Sequence, residues 1–582
     1  MHESSRSVPL TPTSGRSIAA PAMAWGSRRA RSRSKAIALR RPGERSIVAG
    51  LAWLAYMAAA AIVVVGAHSI IGDAWSRVAN GYYVLFSRDP HLAAIGFVWN
   101  PLPSLAVMPL LPLKLIWPDM VATGFAGSIV SALCMAAAVW ELHGIALDWH
   151  VRRSARIVVT LLFALNPMIV YYGANGMSEA MFILTLVVAV RYLARWVVNP
   201  ETVSLVVAAF ALAAAYMTRY EAVVAALAAF GMVVVLSAWR RNGDAGSRIG
   251  EGLADGAVLA VPFVTVFAAW AVASWLIVGD PFQQFTSVYG VVSQLAVAQS
   301  SVAQSTGQGT SAAYLWIVKQ ILGLEPGLVI VGLLGFAATF RGRHGLTLPA
   351  VGILGGVVAF AIFGFLTGRT LGWLRYSITV IPLASILALA VLAPNPARTA
   401  GSGWRAFPAK AAGKAAGLAV VALIAISVPI GAATMLDPAE NPQFGGEAFQ
   451  LRPVLFPNEP LALITPTGQF DVGHQAAAYV DGLNLGNGSV LVDGAMGFPI
   501  ILESRNPTQF VTTPDRDFQQ ALLDPISFHV RYLLVPENVG YQSLDAINRA
   551  YPGIYDSGAG IGQLVKQFSA GGNNWRLYEV SQ

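Results

Sequence analysis

From Ile47 to Ala67 the chain runs without a charged residue, and apolar stretches of that kind recur until about Met435. A bilayer core is crossed by roughly 20 apolar helical residues, so one such run makes an anchor and many make a polytopic α-helical membrane protein. Composition agrees: 55% of the 582 residues are apolar and only 12% are charged, with a mean hydropathy of +0.58. An ordinary soluble domain is excluded. Transmembrane helices are expected at 47 to 67, 119 to 144, 155 to 173, 178 to 198, 202 to 217, 221 to 239, 254 to 278, 313 to 338, 347 to 366, 376 to 393 and 416 to 435, about 11 spans by that length criterion.

Charge orients them. The segment before the first span carries Arg28, Arg29, Arg31, Arg33, Lys35, Arg40, Arg41 and Arg45, which predicts a cytoplasmic amino terminus in the cell membrane. Later Arg and Lys clusters, at Arg152 to Arg156, Arg240 to Arg248, Arg341 to Arg343 and Arg398 to Lys414, fall in loops of the same side. An odd number of spans then places the first loop, 68 to 118, and the soluble region 437 to 582 together outside the cytoplasm. The expected organisation is a basic disordered tail (1 to 46), a membrane domain (47 to 436) and an extracytoplasmic domain (437 to 582).

The first span is longer than the apolar core of a signal peptide, roughly 7 to 15 residues, and is read as an anchor. The net charge of +8 reflects the basic cytoplasmic segments; membrane lipid is their partner, and no nucleic acid is expected. The single cysteine, Cys134, forms no intrachain disulfide and no Cys metal cluster.

Polar residues concentrate at the outer face. The first loop opens with "GDAWSRVANGYY", carrying Asp73 and Arg77, and continues through "FSRDPH", with Asp89 and His91, to "GFVWNPLPSLAVMPLLPLKLIWP", which reads as an interfacial helix. Short outer turns carry "NPMIVYYGANGMSEA" with Glu179, "MTRYEA" with Arg219, and "GRTLGWLRYSITVIP" with Arg369, Arg375 and Tyr376. Arginine is disfavoured on this side, so each needs a partner. The guanidinium fork suits a lipid-linked phosphate; Asp73, Glu179 and Glu221 are the structural alternative.

In their order and common outer face, Asp73 after the first span, the Pro101 and Pro103 segment, the turn ending in Glu179, and "LRYSITVIP" resemble the GT-C superfamily. This is the group of polyprenyl-phosphate-sugar-dependent membrane glycosyltransferases that contains the lipid A aminoarabinose transferase and the protein O-mannosyltransferases. The likeness covers most of 47 to 395. It implies an inverting glycosyltransferase in which Asp73 is the general base that activates an acceptor hydroxyl, the donor is a polyprenyl-phosphate sugar, and Arg375, Arg219 and Arg369 bind the lipid phosphate. Arg77, Asp89, His91, Glu179 and Tyr376 are expected to contact the acceptor or hold the loop.

Two departures shape the expectation. Protein O-mannosyltransferases carry adjacent acidic residues here, whereas Asp73 is followed by Ala74 and Trp75, so a glycan or glycolipid acceptor, such as cell-wall polysaccharide, is preferred to a protein. Oligosaccharyltransferases hold a divalent metal on spaced acidic pairs; this loop offers Asp73 and Asp89, and no cofactor is expected. Competing classes are a transporter, disfavoured by the absence of a visible repeat and of charge at the bilayer midplane, and a non-catalytic scaffold.

Residues 280 to 311, rich in Ser, Gln and Gly and without Lys or Arg, read as a lid or a linker with an apolar stripe at Phe282, Phe285, Val288 and Val292. Beyond 437, the helical "GHQAAAYVDGL", "DFQQALLD" and "SLDAINRAY" alternate with the strand-like "SVLVDG", "QFVTT", "VRYLLVP", "GQLVKQF" and "WRLYEV", which predicts a small α/β domain.

Overall fold

The computed structural model describes residues 43–290, 292–297, 311–340, 345–394, 406–439, 446–459 and 467–581. Residues 1–42 of the expected basic tail, and residues 291 and 298–310 of the expected lid, lie outside the described residues. Among the described residues, eight helices are long and apolar enough to cross a membrane: Glu44–Gly66, Phe125–Asp148, Glu179–Val198, Ala222–Arg240, Ala245–Val278, Leu348–Leu366, Leu374–Leu392 and Lys414–Leu436. Two further spans are broken. Arg153–Ala164 and Pro167–Ala174 meet at 58°, and Ala312–Leu324 and Leu328–Ala338 at 71°.

Local chemistry explains both breaks. Leu165 closes the first helix, and Asn166 caps the next by accepting from the Met168 amide at 3.1 Å, with Pro167 at the first helical position, where a missing N–H does no harm. The second break falls at Glu325 and Pro326, where proline removes a donor and disfavours helix in the residue before it. The remaining expected span, Thr202–Thr218, has 17 residues and is about 26 Å long. It is shorter than the roughly 30 Å hydrocarbon core, and it brings Arg219 to the rim of the bundle.

The stretch after the first span is not an open loop. Gly72–Phe86 is a helix that buries Ala74, Trp75, Val78, Ala79, Tyr82 and Tyr83 on one face. The same helix packs against the interfacial segment, a short helix Leu102–Val107 followed by a 3-10 stretch Met108–Leu115. The approach is close enough that a Cβ on Gly81 would sit 2.9 Å from the Ser104 carbonyl oxygen. Leu115 and Ile116 remain exposed, as an interfacial segment requires.

The carboxy-terminal domain is a five-stranded sheet of β1 (Val490–Val492), β2 (Phe510–Thr512), β3 (Tyr532–Pro536), β4 (Gly562–Ala570) and β5 (Asn573–Val580). Its order is β2-β1-β3-β5-β4. β1 pairs parallel with β2 and β3, and β5 pairs antiparallel with β3 and β4. Gly571 and Gly572, both at positive φ, close the β4–β5 hairpin, a conformation glycine adopts without a Cβ clash.

Alternation along the strands gives each sheet face its own core. Leu491, Val511, Leu533 and Val535 pack with Phe518, Ile547 and Ile554. Val490, Val492, Leu534 and Leu577 join the core that is continuous with the membrane domain. At that junction Trp75 meets Phe498 edge-on at 5.5 Å, and His68 stacks on Phe470 at 4.0 Å. The Tyr83 hydroxyl donates to the Gly494 carbonyl at 2.8 Å.

Candidate active site

Asp73 lies in the first turn of Gly72–Phe86, where the partial positive charge of a helix amino terminus favours an anion. Two anchors fix that turn. The Ser69 hydroxyl bonds the Gln450 side chain at 2.7 Å, and the buried Arg77 donates from Nη1 to the Asp73 carbonyl at 3.0 Å. Arg77 stands behind Asp73, its guanidinium 5.1 Å above the Trp99 ring. It positions the turn and does not face the opening.

Across from Asp73 is Arg375, in the 3-10 turn Leu374–Ser377 that starts a span. Its Nη2 lies 2.8 Å from Asp73 Oδ2. Its side chain is 3% exposed against 27% for that of Asp73, so the carboxylate sits on the open side of the pair. The Trp373 ring supports the guanidinium at 4.0 Å and Tyr376 at 5.6 Å. Nε of Arg375 is 4.0 Å from Glu179 Oε1, yet both Nε and Nη1 are buried with no hydrogen-bond partner. Buried donors of this kind are costly to leave unmatched.

The sequence places Arg219, Arg369 and Arg375 together as phosphate ligands; the structure gives them different situations. Arg219 donates to Glu179 Oε1 at 2.7 Å and to Glu221 Oε1 at 2.6 Å, so its fork is engaged by the two carboxylates. It holds Glu179 beside Arg375, and all three line one pocket with Tyr376. Arg369 is exposed next to Thr370 of the same pocket rim, and no ion pair to it occurs among the described residues.

Asp89 and His91 lie away from this pocket, in a clamp to the carboxy-terminal domain. Asp89 accepts from Arg516 Nη1 at 3.0 Å, Arg88 reaches Asp515 at 3.2 Å and also pairs with Asp517, and His91 Nδ1 sits 2.7 Å from the Asp89 carbonyl oxygen. Among the described residues no group of three His, Cys, Asp or Glu side chains is placed to hold a metal ion.

Several residues were missed from sequence. Glu447, just after the last span, accepts from the Tyr172 hydroxyl at 2.6 Å; burial raises its carboxyl above the usual range, while the Tyr172 hydrogen bond and the nearby Arg375 charge oppose that. Tyr541, on the 3-10 turn Gly540–Leu544 of the carboxy-terminal domain, lies within electrostatic reach of Asp73, Tyr376 and Arg375; burial pushes its phenol up to about 12, and the Asp73 carboxylate adds to it. Tyr289, from the expected lid, donates to Asp493 at 2.7 Å. Nothing local marks these residues, because their partners are hundreds of positions away. The helical spacing of Ala74, Trp75, Val78, Ala79, Tyr82 and Tyr83 was a usable signal for the helix that carries Asp73.

No family description and no curated protein sequence matches the chain. Its backbone does match solved structures. ArnT from Cupriavidus metallidurans, bound to undecaprenyl phosphate, aligns with a TM-score of 0.52 at 13% identity, over 92% of this chain and 97% of that one. The chain has the GT-C fold. The same ArnT in the apo state aligns at 0.49 and 13% identity, over 91% and 97%. The oligosaccharyltransferase AglB from Archaeoglobus fulgidus, in complex with an inhibitory peptide and a dolichol-phosphate, aligns at 0.39 and 12%, over 92% and 74%. The GT-C likeness at this identity is one of fold; the chemistry rests on the pocket itself.

Proposed function

We propose that this protein is an inverting glycosyltransferase that moves a sugar from a polyprenyl-phosphate carrier to an acceptor hydroxyl on the outer side of the cell membrane. The observation that carries the reading is the Asp73–Arg375 pair: a half-open carboxylate 2.8 Å from a buried guanidinium that keeps two further donors without acceptors. Such a fork binds phosphate, and the carboxylate beside it receives a proton.

In this mechanism Asp73 takes the acceptor's hydroxyl proton, and the acceptor oxygen forms a bond to C1 of the sugar from the face opposite the phosphate. The C1–O bond to phosphate breaks and its electron pair stays on the phosphate oxygen. Arg375 stabilises the charge that collects there, with Arg369 at the rim as the second cation. Arg219 holds Glu179 and supports the site indirectly. No acid is needed, because a phosphate ester is already a good leaving group. A glycan or glycolipid acceptor is favoured over a protein by the lack of tandem acidic residues at Asp73.

The test incubates the purified protein with radiolabelled polyprenyl-phosphate sugars and a panel of glycan and glycolipid acceptors. Transfer by the wild type and its loss in Asp73→Asn are expected; full transfer by Asp73→Asn removes the base assignment.

A further inference from the structure

The outer segment that follows the Ala245–Val278 span is seated on three surfaces. Phe285 meets Tyr220 edge-on at 5.5 Å, and Tyr220 lines the Arg375 pocket. Leu295 packs with Leu371, Trp373 and Tyr376, and the last two are the rings that flank the Arg375 guanidinium. Between these contacts the Tyr289 hydroxyl donates to Asp493 Oδ2 of the carboxy-terminal domain at 2.7 Å. The segment is tied internally: the Tyr289 amide donates to the Ser287 hydroxyl at 3.2 Å, and Gln294 Nε2 donates to the Tyr289 carbonyl at 2.9 Å. A shift of Tyr289 therefore reaches Leu295, and through it the wall behind Arg375.

The anchor in the carboxy-terminal domain is a pair of fully buried carboxyls, Asp493 and Asp545, each 0% exposed. Asp493 accepts from the Ala495 amide and from the Ala546 amide at 2.8 Å each; the second of these is the residue after Asp545, so the two side chains are neighbours. Asp545 Oδ1 accepts from the Asn548 amide at 2.8 Å, but its Oδ2 is buried with no hydrogen-bond partner. The other titratable groups within reach are Arg549, whose Nη2 lies 3.4 Å from the Tyr289 hydroxyl, and Tyr83, which donates to the Gly494 carbonyl and is within reach of both Asp493 and Asp515. The turn Gly540–Leu544, which carries Tyr541 toward Asp73 and Arg375, runs directly into Asp545.

Resting on the phosphate reading of Arg375, we propose that Tyr289 is a positioning residue for transfer: through it the carboxy-terminal domain holds the Trp373 and Tyr376 wall behind Arg375, and Asp545 makes that hold sensitive to pH. Burial raises both carboxyls above the usual range, and the Asp493 charge adds to the effect on Asp545. Three donors stabilise the Asp493 carboxylate, so of the two it is Asp545 that keeps a proton. A carboxyl whose folded value is raised favours the folded arrangement at low pH and stops doing so as pH rises through that value. Above it, a second buried charge stands beside Asp493 with no donor for its Oδ2, and the tether loosens.

The experiment follows hydrogen exchange of residues 283 to 290 in the full-length protein in lipid nanodiscs. It runs from about pH 5 to about pH 9, with transfer at saturating donor measured on the same samples. Variants are compared with wild type at each pH, so the intrinsic pH dependence of exchange cancels. At the acid end Tyr289→Phe is expected to exchange at least about 10-fold faster than wild type and to transfer at least about 10-fold more slowly, the scale of one hydrogen bond to a charged group. Toward the alkaline end wild type approaches Tyr289→Phe in both readouts. Asp545→Asn, neutral at every pH, keeps slow exchange there and transfers faster than wild type.

Tyr289→Phe that matches wild type in exchange at the acid end overturns the tether, and Tyr289→Phe that exchanges faster but transfers at the wild-type rate overturns the positioning role. Equal pH profiles for wild type and Asp545→Asn overturn the part given to Asp545. If Asp545→Asn does not fold, the difference between wild type and Tyr289→Phe must still shrink as pH rises, and a constant difference overturns that part. Wild type that neither binds undecaprenyl phosphate nor transfers is a different result: it removes the phosphate reading, while the exchange data still decide the tether.

Discussion

The two ends of the helical bundle handle buried charge in opposite ways. Where the first span begins, Glu44 pairs with Arg153 at 2.7 Å and Arg156 at 2.8 Å, Arg45 pairs with Glu141 at 3.0 Å, and Arg191 bridges Glu141 and Asp148 at 2.8 Å each. Arg195 adds a second fork to Asp148 at 2.8 Å. None of these guanidinium groups retains an unmatched buried nitrogen. Where the first span ends, Arg375, Glu179 and Glu221 each keep buried polar atoms without a hydrogen-bond partner.

A closed network is what stability selects, because unmatched buried charge is expensive. An open one persists where the surrounding structure supports it and a ligand completes it. The contrast is one between the two ends rather than between single arginines, since the positioning residue Arg77 also keeps a buried Nε without a partner.

Two substitutions break the outer end with the largest effect on activity. Asp73→Asn removes the base and is expected to lower the transfer rate by about 10²- to 10⁴-fold, measured as product formed at saturating donor, with thermal stability in detergent nearly unchanged. Arg375→Lys keeps the charge but loses the planar fork. A loss of about 10²-fold or more in kcat is expected, and carrier affinity should fall as well. Arg375→Lys at wild-type rate would mean that point charge, not geometry, is all the site needs.

The matching break at the other end acts on stability. Arg191→Met leaves Glu141 and Asp148 short of a partner in a buried setting. It is expected to cost about 3 kcal/mol or more of stability, read from the melting midpoint, while surviving folded protein turns over at the wild-type rate. A variant with normal stability and impaired transfer would erase the distinction between the two ends.

Much of the architecture was legible because bilayer thickness and strand alternation impose periodicities that one sequence displays. The five strand-like segments after residue 437 are β1 to β5 of the sheet, and "GRTLGWLRYSITVIP" holds the site arginine that keeps free donors. Asp73 was read as part of a loop rather than of a helix, although the spacing of Ala74, Trp75, Val78, Ala79, Tyr82 and Tyr83 carries the helical signal. For Arg219 the sequence left phosphate or the carboxylates Glu179 and Glu221 as partners, and the folded geometry shows that both carboxylates engage its fork. Asp89 and His91 were expected to contact the acceptor or hold the loop; the partner that clamps Asp89, Arg516, lies 427 positions away and carries no local signal. Glu447 and Tyr541 carry no local motif, and only their folded positions bring them beside Arg375.

The junction between the two domains lies between these extremes and gives the smallest effect, one that depends on pH. Lys114 reaches from the interfacial segment to the Tyr82 hydroxyl at 2.6 Å and the Ser504 carbonyl at 3.0 Å. Burial pushes its amine down to about 8 from 10.5, with the charges of Asp481 and Glu503 only partly opposing this. A lysine whose folded value lies below its unfolded value binds fewer protons when folded in the interval between them, so stability rises with pH there. The penalty for burying the charge is therefore complete below about pH 8 and fades toward pH 10.5. Lys114→Met removes the titration. The stability difference, wild type minus Lys114→Met, is expected to stay flat up to about pH 8 and then climb in favour of the wild type, by no more than about 1.4 kcal/mol per pH unit. Melting curves of both proteins from pH 7 to 10 measure it. A difference that stays constant across that range would place Lys114 in water rather than in the seam, and with it would fall the picture of a junction held by buried polar contacts.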